Sequence, residues 1–199
     1  MAVVTRGFHG RRREPDPRIP PGQYLETDFP VLAIGPTPRV STDDWTLTVT
    51  DVDGSRSTLD WRGLRALPAE DVETDLHCVT TWSKLDTRWR GVPVGAVLGD
   101  AGAGAHHVLA HSADGYTTNL PLADLVDGRA WVAFEYDGRP LEPWHGGPVR
   151  LLVPHLYLWK SAKWLTGLEL LREDSPGFWE RLGYHSYGDP WREQRYVGD

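Results

Sequence analysis

Sulfur is scarce in this sequence: 199 residues hold one cysteine, Cys78, and one methionine. A single cysteine excludes an intrachain disulfide and any zinc or iron–sulfur centre built from several cysteines of this chain. It fits a reducing compartment. Long apolar runs are missing as well, and no segment approaches the ~20 residues that a membrane-spanning helix needs. Positive charge is in deficit, with 21 Lys and Arg against 28 Asp and Glu and a net charge of −7. That balance argues against a general nucleic-acid binder. No apolar stretch follows Arg11, Arg12 and Arg13, so they do not read as an export signal, and a cytoplasmic location is expected.

Tryptophan, by contrast, is abundant, at ten residues. A Trp-heavy core accounts for most of them, and a walled binding site could use the rest. Residues 1–40 are rich in Arg, Gly and Pro. Residues 1–18 are expected to form a flexible arm ahead of one domain spanning 19–199. The later part of this proline-rich stretch should lie over the domain and bury Tyr24, Phe29, Val31, Leu32 and Ile34.

From Trp45 the pattern becomes regular. Alternation over WTLTVTDVDG, ending in Asp53-Gly54, predicts a hairpin. Leu59 to Leu67 reads as a short helix with Asp60 as N-cap and Pro68 beyond it. Val72 to Cys78 reads as a strand that delivers the cysteine at its end. Val94 to Leu98 and Leu122 to Val126 read as helical turns. His107 to His111, Trp131 to Tyr136, Val149 to Val153 and Leu165 to Leu171 read as strands, with turns at Asp114-Gly115 and Asp137-Gly138. Phe178 to Leu182 closes the series as a late helix. Many short strands with scattered short helices make an α+β fold.

Three stretches carry chemistry: Val72 to Val94 around Cys78, His145 to Trp164 (HGGPVRLLVPHLYLWKSAKW), and Trp179 to Trp191. Cys78 follows His77 and precedes Lys84, Arg88 and Arg90. The residues alone leave three readings open: a nucleophile activated by basic neighbours, a thiolate ligand to one metal ion, or a small buried hydrophobe. In the second stretch a Gly-Gly-Pro turn lies close to His145, Arg150, Lys160, Ser161 and Lys163. Glycine permits close backbone approach, and clustered cations can meet a phosphate.

The segments LHCVTTWSKLDTRWRGVPV, DGYTTNLPL and HGGPVRLLVPHLYLWKSAKWLTGLEL resemble the molybdopterin-binding domain of the sulfite oxidase family over about residues 19–191. The resemblance implies that fold, with mixed β-sheets and short helices, and a molybdenum–molybdopterin cofactor. It implies Cys78 as the single protein ligand to molybdenum. It implies His145, Arg150, Ser161 and Lys163 as pterin and phosphate contacts, with Ala33, Ile34 and Gly35 in an early cofactor loop and Ser112 at a mid-chain contact. Tyr184 matches a family tyrosine beside the metal, where a phenol can donate a hydrogen bond to substrate and help proton transfer. His185 and Tyr187 are the alternatives to it.

The sequence departs from the sulfite oxidases at Leu32 and Ser83, where those enzymes hold arginines around the substrate anion, which argues against sulfite. The expected activity is oxygen-atom transfer to or from another small substrate. Electrons would be exchanged through a separate redox protein, since no haem or flavin motif is present. A molybdopterin-binding module without turnover is the rival reading, and a thiol-based redox protein the third.

Overall fold

The computed structural model describes residues 16–199 of the chain. The expected arm therefore lies mostly outside the described residues. Its last residue, Arg18, pairs with Asp86 at 2.7 Å.

Strands dominate, and each helix is short. The elements run β1 (Tyr24–Leu25), β2 (Thr46–Thr50), β3 (Arg56–Asp60), α1 (Trp61–Ala66), β4 (Glu70–His77) and β5 (Trp82–Pro93). They continue with α2 (Val94–Leu98), β6 (His107–Ser112), β7 (Thr117–Pro121), β8 (Trp131–Tyr136), β9 (Arg139–Pro140), β10 (Arg150–Leu152), β11 (Leu165–Leu171) and α3 (Phe178–Arg181). Local chemistry explains many of the boundaries. Asp60 caps α1 by accepting the Gly63 N–H at 2.6 Å, satisfying one of the orphan donors of the first turn. Gly99 at φ 57° ends α2. Asp137 and Gly138, at φ 49° and 72°, form the two-residue turn whose twist suits a tight hairpin between β8 and β9.

The strands form two sheets. The five-stranded sheet has the order β3-β2-β11-β6-β7, with β11 parallel to β2 and antiparallel to β6. The six-stranded sheet follows β1-β5-β8-β10, with β4 also on β5 and β9 on β8. Its spine is β5, which reaches from the Cys78 turn to α2 and pairs with β1, β4 and β8.

Side chains alternate across a strand, and β8 shows the result. Val132 and Phe134 enter a core shared with Leu47, Val49, Val108, Ala110, Leu165 and Leu168 of the other sheet. Trp131 and Ala133 face the opposite way, into a smaller cluster with Leu76, Trp89, Leu141 and Leu152. Phe29 and Leu158 pack on that second cluster, so the segment after β1 crosses the outer face of the six-stranded sheet.

That segment does not bury what was expected of it. Phe29 is half-buried, but Tyr24, Val31, Leu32 and Ile34 remain between 42% and 52% exposed. The reason is that Leu32 and Ile34 form one wall of an open cleft instead of packing on the sheet. Trp45, Trp82, Trp89, Trp131, Trp159 and Trp164 are buried, as a Trp-heavy core requires.

Candidate functional site

The cleft has a volume of about 320 Å³. Cys78, Tyr184, Ala33, Ile34, Ser112, His145, Arg150, Ser161 and Lys163 all line it. Gly35 does not. It is exposed, and nothing comes within 4 Å of where a side chain would begin.

Cys78 sits one residue beyond β4, in a tight connection to β5. Its N–H donates to Trp82 O at 2.8 Å, and its carbonyl accepts from Thr81 N at 3.0 Å. The amide of Gln23 also donates to that carbonyl, at 3.1 Å. Thr81 holds φ 73°, a costly conformation for a β-branched residue that the surrounding bonds must enforce. Cys78 is 5% exposed, and its sulfur lies 3.1 Å from the Thr80 hydroxyl. Burial pushes the thiol pKa up, partly offset by hydrogen bonds from Thr80 and Val79. An uncoordinated Cys78 is thus a protonated, poorly reactive thiol, whereas a bound metal cation would take it as thiolate. His77, on the opposite face of the strand end, is held by Ser83 Oγ at 2.8 Å, and burial keeps its imidazole neutral by lowering its pKa.

The basic end of the cleft comes from β10 and the loops on either side of it. Arg150 is buried and spends its guanidinium on carbonyls, His145 O at 2.9 Å and Ser161 O at 2.8 Å. Desolvation lowers its pKa to about 10, so it keeps its charge at neutral pH. Lys163 donates to Leu32 O at 2.6 Å and Trp144 O at 2.9 Å. Burial, with Arg150 nearby, lowers its pKa to about 8. Among the described residues neither cation has a carboxylate in ion-pair contact. His145 donates from Nε2 to Phe29 O at 3.0 Å and stacks on the Phe29 ring at 4.1 Å. Ser161 Oγ accepts the Val153 N–H, and Ser112 Oγ is buried without a partner.

Lys160 departs from the sequence reading. It points away from the cleft into the protein, where its ammonium meets Glu180 at 2.6 Å and also donates to the Asn119 side-chain oxygen and to the backbone carbonyls of Asn119 and Ser186. Glu180 also accepts from Thr118 Oγ1 and Trp159 Nε1. This network places Trp159 edge-on to Tyr184 at 5.3 Å, with Trp179 on another side at 4.8 Å. Burial is the first cause that raises the Tyr184 pKa, so its phenol is a donor at neutral pH. The aromatic walls Trp82, Tyr116, Trp159 and Trp179, and Thr80 beside the sulfur, were not anticipated. Thr80 and Trp82 lie within the cysteine stretch itself. Tyr116, Trp159 and Trp179 also fall in segments the sequence singled out, but nothing in those segments marked these rings as walls of the site.

A sandwich of mixed sheets, one buried thiol at a tight turn and two unpaired cations facing the same cleft define a protein built around an anionic, metal-bearing cofactor. Residues 34–179 match the oxidoreductase molybdopterin binding domain family, and the chain belongs to it. An uncharacterized oxidoreductase, YuiH of Bacillus subtilis, is 42% identical over 96% of this chain and 100% of its own length. The mitochondrial sulfite oxidase of Rattus norvegicus is 27% identical over 87% of this chain, which spans 38% of that protein. The catalytic subunit MsrP of the protein-methionine-sulfoxide reductase of Gluconobacter oxydans is 29% identical over 72% of the chain and 52% of its own length. The sulfane dehydrogenase SoxCD of Paracoccus pantotrophus shares the fold, with TM-score 0.63 and 19% identity over 69% of this chain and 41% of that one. The protein is a molybdopterin-dependent oxidoreductase of the sulfite oxidase-like type.

The residues present fit this cofactor. A phosphate would neutralise the repelling pair Arg150 and Lys163, the orphaned Ser112 hydroxyl could find a partner, and a soft thiolate suits the metal. Among the described residues, no group of His, Cys, Asp and Glu forms a second metal site. No helix among them is long and apolar enough to cross a membrane.

Proposed function

We propose that this protein transfers an oxygen atom to or from a small, uncharged substrate at the Cys78–Tyr184 end of the cleft, exchanging electrons with a separate redox protein in the cytoplasm. The supporting observation is one cleft with a sole cysteine and a protonated tyrosine, together with two cations that lack carboxylate partners. Cys78 would ligate the metal. Arg150, Lys163, His145, Ser161 and Ser112, with the Ala33–Ile34 wall, would hold the pterin and its phosphate. When bound, molybdenum supplies the two-electron redox change that the transfer requires. In the reducing direction the oxidised substrate, two electrons and two protons give the deoxygenated substrate and water.

Tyr184 would donate a hydrogen bond to the transferring oxygen. The choice of an uncharged substrate rests on the two positions where sulfite oxidases hold arginine. Ser83 is fully buried and bonded to His77, and Leu32 offers the cleft an apolar side chain. Trp82, Tyr116, Trp159 and Trp179 add aromatic walls. A sulfoxide or N-oxide, dipolar but uncharged, suits such walls better than a small anion, which needs cationic donors.

The test is metal analysis of protein purified from a host that makes molybdopterin, followed by a substrate screen with reduced dyes. Near-stoichiometric molybdenum is expected, together with its loss in Cys78→Ala. Full retention in that variant would remove Cys78 as ligand. Turnover of sulfite in preference to sulfoxides and N-oxides would overturn the substrate class.

A further inference from the structure

Below the Cys78 turn lies a second hollow, lined by Arg18, Asp75, His77, His155 and Trp191 among others. None of these five lines the cofactor cleft. Strand alternation explains the arrangement: neighbouring residues at the end of β4 send Cys78 to one side and His77 to the other. The His77 ring meets the Trp191 indole edge-on at 6.1 Å. Trp191, in the turn Pro190–Arg192, is 49% exposed, whereas His77 is 5% exposed. The exposed indole is thus one ring contact from an imidazole that is joined to Cys78 by a short run of covalent bonds.

We propose that Trp191 and His77 form the electron route between the cofactor and a one-electron carrier protein that docks over the exposed Trp191 indole and the second hollow beside it. The proposal rests on Cys78 as metal ligand. Oxygen-atom transfer needs two electrons, and such a carrier supplies or removes them one at a time, being itself oxidised or reduced once per electron. The substrate's protons move separately in the cofactor cleft. Electrons pass more readily along covalent bonds than across gaps, and in this route the only gap inside the protein is between the two rings. A carrier at this hollow would also leave the cofactor cleft free for substrate. A second aromatic way out, Tyr184 to Tyr196 at 5.3 Å, has no covalent link to Cys78 and passes through the phenol that substrate uses.

Flash photolysis tests the route without a natural partner. A ruthenium tris-bipyridine label on a cysteine introduced by Arg192→Cys, in molybdenum-loaded protein, injects one electron per flash, and the metal's optical change reports arrival. The injection rate should fall by an order of magnitude or more in Trp191→Leu and be largely kept in Trp191→Phe. The same label at Arg56→Cys, on β3 of the other sheet, should give a rate that Trp191→Leu does not alter. Equal rates for Trp191→Leu and the parent from position 192 would overturn the route, as would a loss in Tyr196→Leu instead. Absence of molybdenum, seen in metal analysis before any flash, would overturn the ligand assignment and the route together.

Discussion

At the scale of single residues, the site works by pairing side chains with environments that hold each in one protonation state. Tyr184 keeps its proton because burial, Tyr196 and Cys78 all disfavour the phenolate. Tyr184→Phe removes the donor and leaves the ring against Trp159 and Trp179. Turnover should fall by about a hundredfold, the usual weight of a positioned acid, with molybdenum content unchanged. A binding module without turnover would show no such loss. Lys163 is poised the other way. Its pKa falls from 10.5 to about 8 on folding, because burial and Arg150 oppose the ammonium while Asp114 favours it. Between those two values the unfolded chain binds more protons, so cofactor-free protein should gain stability as pH rises through that window. Urea unfolding of the cofactor-free protein across the window should show the rise in the parent and a flatter profile in Lys163→Met. A bound anion stabilises the charged lysine and should diminish the rise.

At the scale of elements, the Lys160–Glu180 pair ties β7, the turn at Leu158–Lys160 and α3 together beneath Tyr184. Both side chains are nearly inaccessible, at 0% and 1%. Glu180→Ala leaves a buried ammonium uncompensated and should cost about 3–5 kcal/mol in urea unfolding. Lys160→Met/Glu180→Leu together should recover most of that stability, and the two results check each other. The same lysine shows where sequence reading stops. Lys160 stands next to Ser161 and three residues before Lys163, so spacing put it in the anion site. Its direction is set by Glu180, twenty residues later and on another element. Elements defined by local chemistry were legible: the Asp60 cap, the Gly99 stop, and the Asp53-Gly54 and Asp137-Gly138 turns. Strand β5 was not. Its burial does not alternate cleanly, Asp86 within it sits at φ 56°, and two of its three partner strands, β1 and β8, come from distant parts of the chain. Strand β7, with Thr117 and Asn119 in a short polar run, gave equally little signal.

At the scale of the whole molecule, the site gathers Ala33, Cys78, Ser112, the segment from His145 to Lys163, and Tyr184 from across the chain. Rare or charged residue types marked several of these positions before any geometry was known, while the aromatic walls emerge only from the packing. The wall after β1 is the least anchored part of this assembly. Beyond Glu26, whose N–H donates to Ser83 O at 2.8 Å, it is latched by side chains of the body reaching its carbonyls: Lys84 to Thr27, His145 to Phe29 and Lys163 to Leu32. Two of those latches, His145 and Lys163, belong to the basic end of the cleft. With few backbone bonds and exposed side chains, such a segment opens at low free energy. A ligand that binds only the closed form stabilises it by mass action. Hydrogen exchange of residues 27–35 should therefore be fast in cofactor-free protein and markedly slower once the cofactor is loaded, whereas β5 and β8 should change little. Lys163→Met should weaken that protection by removing one latch. Equal exchange in the loaded and cofactor-free forms would show that this wall takes no part in holding the cofactor.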